Sequence, residues 1–181
     1  MIYLALLRGI NVGGNNKLNM KDLSLALSEA GLNKVTTYIN TGNIIFESNN
    51  LTVKYLEQTI HDAILVKFNL DIKVLIKSHD QIRAVTRAIP ITWVNNSEMK
   101  CDVMFLWDGY DSETAVSSIQ VNKDVDNIIY CSGALIWQIK RSDYSKSKMN
   151  KIIGTDIYKN MTARNCNTVR KIVERMNMLV K

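Results

Sequence analysis

Between residues 2 and 77 the apolar side chains pass back and forth between strand-like runs and the roughly 3.6-residue spacing of a helix, in an order that few folds accommodate. Ile2–Leu7 is apolar throughout and reads as a buried strand. Asn19 suits the N-cap of a helix whose Met20, Leu23, Leu27 and Ala30 share one stripe, and Gly31 supplies a left-handed stop. Residues 35–40 and 44–48 read as two strands joined around Thr41, Gly42 and Asn43, a turn suited to a hairpin. Thr52 can cap a second helix with Val53, Leu56, Ile60, Ala63 and Ile64 on its apolar side, and Ile72, Val74 and Ile76 mark a fourth strand. Strand, helix, strand, strand, helix, strand is the split-βαβ order of a ferredoxin-like plait.

The second part of the chain opens on a helix that can join the halves, and a second plait starts after it. Ser78 with Gln81 makes a capping box for a helix carrying Ile82, Val85 and Ile89, stopped by Pro90, the chain's one proline. Residues 101–107 read as a strand, 112–119 as a short helix, and 127–131 with 135–140 as a hairpin around Ser132 and Gly133. Helical spacing returns near 146–153 and in Val169, Ile172, Val173, Met176 and Val180, where Asn167 or Thr168 can cap. No closing strand is evident, unless a short segment at 155–158 serves. The expectation is an α+β chain of two packed ferredoxin-like halves, residues 1–77 and 78–181, with antiparallel sheets covered by helices.

At 181 residues, 46% hydrophobic and 22% charged, the composition is that of a globular protein and excludes disordered, collagenous and coiled-coil chains. The apolar run Ile2–Leu7 is far short of the ~20 residues of a membrane span, and no basic segment precedes it as in an export signal. Cys101, Cys131 and Cys166 are an odd count without CxxC spacing, and His61 and His79 lie far from them, so neither a disulfide framework nor a metal site is expected. A reducing cytoplasm is the natural compartment, and no cofactor motif is present.

Charge is distributed unevenly. Residues 140–181 hold eleven Lys and Arg against three Asp and Glu, a net +8, whereas the other 139 residues carry twelve basic and fourteen acidic side chains. Clustered cations favour an anionic partner, although a lysine-rich solvated helix face would read the same way. Three segments could carry function. Arg8, Asn11, Gly13 and Gly14 follow the first strand, where glycines can turn backbone N–H groups toward an anion. The segment lacks a P-loop ending and GxGxxG spacing, so loop geometry alone also explains it. Gly42 and Asn43 sit at the hairpin. Lys146, Lys148, Thr162, Arg164, Asn165, Asn167 and Thr168 lie in the basic stretch, where a guanidinium, hydroxyls and a helix start could converge on a phosphate or carboxylate.

LLRGINVGG at 6–14, YINTGNIIF at 38–46, SKSKMNKIIG at 145–154 and MTARNCNTVRKI at 161–172 together resemble the domain of unknown function 1697 family. The resemblance implies a bacterial cytosolic protein with two ferredoxin-like halves, and no particular activity. It points to the thirteen residues just named, and departs at Cys166, where an aromatic is expected.

Three functions stay open at this level. The first is binding of a phosphate-bearing small molecule or nucleic acid through the loop motifs and the basic C-terminal region. The strand around Phe46 lacks the aromatic series of an RNA-recognition motif, which argues against sheet-face stacking. The second is an enzyme acting on a small phosphorylated or carboxylated metabolite in a cleft between the halves, with no obvious base among His61 and His79. The third is a structural protein without a ligand.

Overall fold

The computed structural model describes residues 1–49 and 52–180, so Lys181 of the basic stretch lies outside the described residues. The chain divides into two compact units, one formed by Met1–Ile82 with the chain from Ile172 onward, the other by Arg83–Lys171.

The first unit contains β1 (Ile2–Leu7), α1 (Met20–Glu29), β2 (Asn33–Tyr38), β3 (Asn43–Glu47), α2 (Val53–Phe68) and β4 (Val74–Ser78). Its sheet has the order β2-β3-β1-β4, antiparallel at every pairing. Tyr3 lies opposite Phe46 and Ala5 opposite Ile44 and Ile76. That register puts Tyr3, Ala5, Leu7, Ile44, Phe46, Val74 and Ile76 into one core with Leu23 and Leu27 of α1 and Leu56, Ile60 and Ile64 of α2. Each of the buried Leu, Ile, Val and Phe side chains contributes about 1.5–3 kcal/mol by leaving water. Tyr3 and Phe46 stack with ring centroids 5.7 Å apart.

The helix ends follow local chemistry. Asn19 accepts from Lys21 N–H and Asp22 N–H, and Thr52 from Tyr55 N–H. Gly31 at φ +92° closes α1, with Leu32 N–H returning to Leu27 O. Ser78 and Gln81 form the reciprocal pair that starts α3 (His79–Ala88), with Ser78 N–H donating to Gln81 Oε1 at 2.8 Å.

The second unit contains β5 (Met99–Leu106), α4 (Glu113–Ser117), β6 (Asn127–Cys131), β7 (Ala134–Lys140), α5 (Asp156–Lys159) and β8 (Met161–Asn165), and α6 (Cys166–Leu179) begins in it. Its sheet, β6-β7-β5-β8, is again antiparallel throughout. Met104, Leu106, Leu135, Trp137, Ile139, Met149, Ile152, Ile157 and Met161 form its core. The protein is thus an α+β fold with two antiparallel four-stranded sheets, each flanked by helices.

Three sequence expectations change here. A closing strand exists, β8, and residues 155–158 belong instead to the cap and body of α5. β8 escapes an apolar pattern because two of its buried residues are Thr162 and Arg164, which satisfy each other. The helical spacing at 146–153 resolves into two 3₁₀ turns, Arg141–Lys146 and Met149–Ile152. α6 is capped by Asn165, whose Oδ1 accepts Thr168 N–H at 2.9 Å, and not by Asn167 or Thr168.

In α2, His61 faces two carboxylates, with Nδ1 3.1 Å from Asp62 and Nε2 3.0 Å from Asp71. The hydrogen bonds to Asp62 and then Asp71 raise its pKa above the usual imidazole value. A raised folded pKa stabilises fully below the unfolded value of about 6.5 and is lost as pH rises through the folded one. His61→Asn is therefore expected to lower stability by about 0.5 kcal/mol near pH 5.5, the scale of an exposed pair, and by nothing measurable near pH 9. Urea unfolding of both proteins across that range checks it.

Candidate functional site

β1 ends at Leu7 and α1 starts at Met20, and the chain fills the interval with a small hairpin of its own. Asn11 N–H donates to Asn16 O at 3.2 Å, and Asn15 N–H to Val12 O at 3.1 Å. Gly13 and Gly14 hold the two central positions at φ +59° and +81°, a mirror-image turn that side chains with a Cβ enter at a cost. Asn11 is the brace of this loop. Its Nδ2 donates to Leu18 O at 3.0 Å and Asn40 O at 2.8 Å, while its Oδ1 accepts Leu18 N–H at 2.8 Å.

The turn between β2 and β3 presses against the end of β1 from the other side. Gly42 has φ +73°, and a Cβ there would lie 2.7 Å from Leu7 Cβ and 2.9 Å from Ile10 Cδ1. Its carbonyl accepts Leu7 N–H at 2.9 Å. Asn43 is wholly buried and donates to Tyr38 O and Thr41 Oγ1, which fixes the turn internally. Arg8 is half-buried, with its N–H on Lys73 O at 3.1 Å.

These constraints leave an open cavity of about 550 Å³ where the loop meets the start of α1. Asn11, Gly14, Lys17, Leu18, Asn19, Met20, Lys21 and Asn40 line it, none of them a carboxylate. Lys17 and Lys21 are exposed. The glycine-bearing loop and the family resemblance point to Asn11 and Gly14. The two lysines were not singled out, because the charge count by chain segment drew attention to the tail.

The seven site candidates of the basic stretch fall in the second unit and serve largely as braces. Arg164 is 8% exposed, and its Nη1 donates to Thr162 Oγ1 at 3.0 Å and Ala163 O at 2.7 Å. Burial pushes the guanidinium down to about 10. Asn165 caps α6 through the N–H of the buried Thr168, and Asn167 Nδ2 donates to Asn95 O at 2.8 Å. Arg170 donates to Trp93 O and Pro90 O. Lys146 pairs with Asp143 at 2.8 Å, and Lys148 is exposed.

Asp126 organises the segment that carries those lysines, and sequence reasoning missed it. Its carboxylate accepts from Ser147 Oγ at 2.6 Å, Trp137 Nε1 at 2.9 Å, Asn122 N–H at 2.9 Å and Lys148 N–H at 3.3 Å. Burial raises its pKa, but Ser147, Asn122, Trp137 and Lys148 together outweigh that and hold the carboxyl below its ordinary value. No local pattern signals this role, since most of its partners are distant in sequence.

Among the described residues no group of three or more His, Cys, Asp or Glu is placed to hold a metal ion, and no helix is long and apolar enough to cross a membrane. Two antiparallel sheets in one repeated strand order define a class of two-unit α+β protein. The chain belongs to the DUF1697 family, described as protein of unknown function, which it matches over residues 1–137. It is similar to the conserved bacterial protein SP0830 from Streptococcus pneumoniae, with a TM-score of 0.81 and 27% identity over 97% of this chain and 98% of that one. The acetolactate synthase small subunit from Thermotoga maritima aligns over 91% of this chain and 96% of that one at 16% identity, with a TM-score of 0.24. No curated protein matches.

Two substitutions test the braces. Gly42→Ala meets both a positive φ and the Leu7 and Ile10 side chains, and is expected to cost roughly 2–4 kcal/mol. Asp126→Ala strands its donors and is expected to cost about 2–4 kcal/mol at pH 7. The lowered pKa of Asp126 stabilises above the ordinary carboxylate range and is lost as pH falls through the folded value, so the difference shrinks in acid. Denaturant midpoints at pH 7 and pH 3 measure both.

Proposed function

We propose that the protein binds a small phosphate-bearing anion in the cavity between the loop after β1 and the start of α1. The observation that carries this reading is the lining: two exposed ammonium groups, Lys17 and Lys21, beside amides and a helix start, without a carboxylate among the lining residues. A volume of about 550 Å³ suits a mononucleotide or sugar phosphate. Asn11 presents its neighbours and does not itself bind, because Leu18 and Asn40 already occupy its amide.

We also infer that each unit is a ferredoxin-like plait. Support comes from the order β2-β3-β1-β4, with α1 and α2 in the two connections that such a plait requires, and from β6-β7-β5-β8, which repeats it. Arg164 and Arg170 then serve the second unit's framework, with Lys148 and Lys151 adding positive charge at its surface.

Titration calorimetry of the full chain with inorganic phosphate, a mononucleotide and a sugar phosphate tests the binding. At least one is expected to bind, with affinity falling roughly tenfold for each of Lys17→Ala and Lys21→Ala. Binding that is unchanged in the double variant, or that occurs only with an oligonucleotide and falls steeply with salt, would place the anion elsewhere.

A further inference from the structure

The second unit brings together two thiols that lie far apart in the sequence. In the β5–β8 ladder Asp102 is opposite Asn165 and Val103 opposite Arg164. Continuing that register by one residue sets Cys101 against Cys166, the first residue of α6. The ladder's last opposed pair, Asp102 and Asn165, is the immediate chain neighbour of both cysteines; such a pair has Cα atoms about 4.5–5.5 Å apart, so the cysteines start close to the roughly 4.4–6.8 Å that a disulfide bridges. A hydrogen-bonding interaction between the two thiols is the largest influence on the ionisation of each.

Their surroundings make them unequal. Cys166 opens a 14-residue helix, and Arg170 one turn later places Nη1 3.8 Å from its sulfur. The hydrogen bond from Cys101, then Arg170 and the Asn167 N–H, hold the Cys166 thiol below its ordinary pKa against the opposing effect of burial. The same hydrogen bond and burial push Cys101 up, which leaves it the proton donor of the pair. Cys131 in β6 is set apart from them, with its thiol on Ala134 O at 3.6 Å and its pKa raised by burial.

We propose that Cys101 and Cys166 are a redox-active pair that closes to a reversible disulfide, with Cys166 as the attacking thiolate and a peroxide as oxidant. The Cys166 thiolate breaks the O–O bond of hydrogen peroxide, taking one oxygen as sulfenic acid and releasing hydroxide, which takes up the proton Cys166 gave up on ionising. Cys101 sulfur then attacks that sulfur, forming the S–S bond as hydroxide leaves, and the Cys101 proton completes water. Two thiols and one peroxide become one disulfide and two waters, with two electrons passing from sulfur to oxygen. Both cysteines are buried, and hydrogen peroxide, close to water in size, is the peroxide that needs the smallest opening to reach them. The bond would tether β5 to the first turn of α6, and a dithiol would release it.

The test uses the full chain, treated with hydrogen peroxide, denatured, alkylated and analysed by intact mass and peptide mapping. The protein is expected to lose two hydrogens, retain one alkylatable thiol of its three, yield a Cys101–Cys166 cross-linked peptide, and recover all three thiols with dithiothreitol. Cys131→Ser is expected to form the same link, and Cys101→Ser to gain oxygen at Cys166. Three thiols still alkylatable after peroxide, a link through Cys131, or an unmodified Cys166 in Cys101→Ser would each overturn the assignment.

Discussion

The approach of Gly42 to the end of β1 is the contact on which the first unit's loop architecture depends. With no Cβ at that position, the turn between β2 and β3 lies directly on Leu7 and Ile10, and its carbonyl takes the Leu7 N–H. The neighbouring Asn40 carbonyl is then in place for Asn11, whose other bonds fix Leu18 and so the approach to α1. A side-chain clash avoided at one residue therefore shapes a cavity walled mainly by the loop after β1, with Asn40 of the turn itself on one side. The glycines and asparagines of this region contribute shape, and the charge comes from Lys17 and Lys21.

The C-terminal part of the chain divides its labour differently. A guanidinium that is 8% exposed and bonded to a hydroxyl and a carbonyl has little capacity left for a ligand, whatever its formal charge. Its environment even lowers its pKa by burial, which describes a group held inside a framework. Asn165, Asn167 and Arg170 are similarly engaged with backbone groups at 168, 95, 93 and 90. Net charge per segment measures how many cations a stretch contains. It does not measure how many of them face solvent together.

Much of the fold was legible because its signals are local. The caps at Asn19 and Thr52, the Ser78–Gln81 pair and the Gly31 stop need only a few neighbouring residues to act, and they act as their sequence suggests. β8 was not legible, because Thr162 and Arg164 replace apolar side chains at buried positions and become acceptable only once paired. The 146–153 stretch has helical spacing, yet Asp126 takes Ser147 and the Lys148 N–H, and the chain breaks into two 3₁₀ turns around them. Asp126 itself is one aspartate among several until the fold brings Trp137 and Ser147 to it. The cysteines show the same limit: their odd count and spacing suggest neither a disulfide framework nor a metal site, and only the β5–β8 register brings Cys101 toward Cys166.

The segments that mark this family in the sequence therefore need not be the atoms that meet a ligand. Asn11, Gly42, Asn43 and Asn165 each satisfy a backbone group or permit a close approach, and their side chains or missing side chains are committed to that task. A group already donating and accepting within the fold gains little by turning to a guest, since it must first break bonds worth about 1 kcal/mol each. Side chains anchored by the same loops but carrying uncommitted charge at the cavity wall face no such cost. That asymmetry favours Lys17 and Lys21 over the motif residues beside them as the groups that would contact an anion.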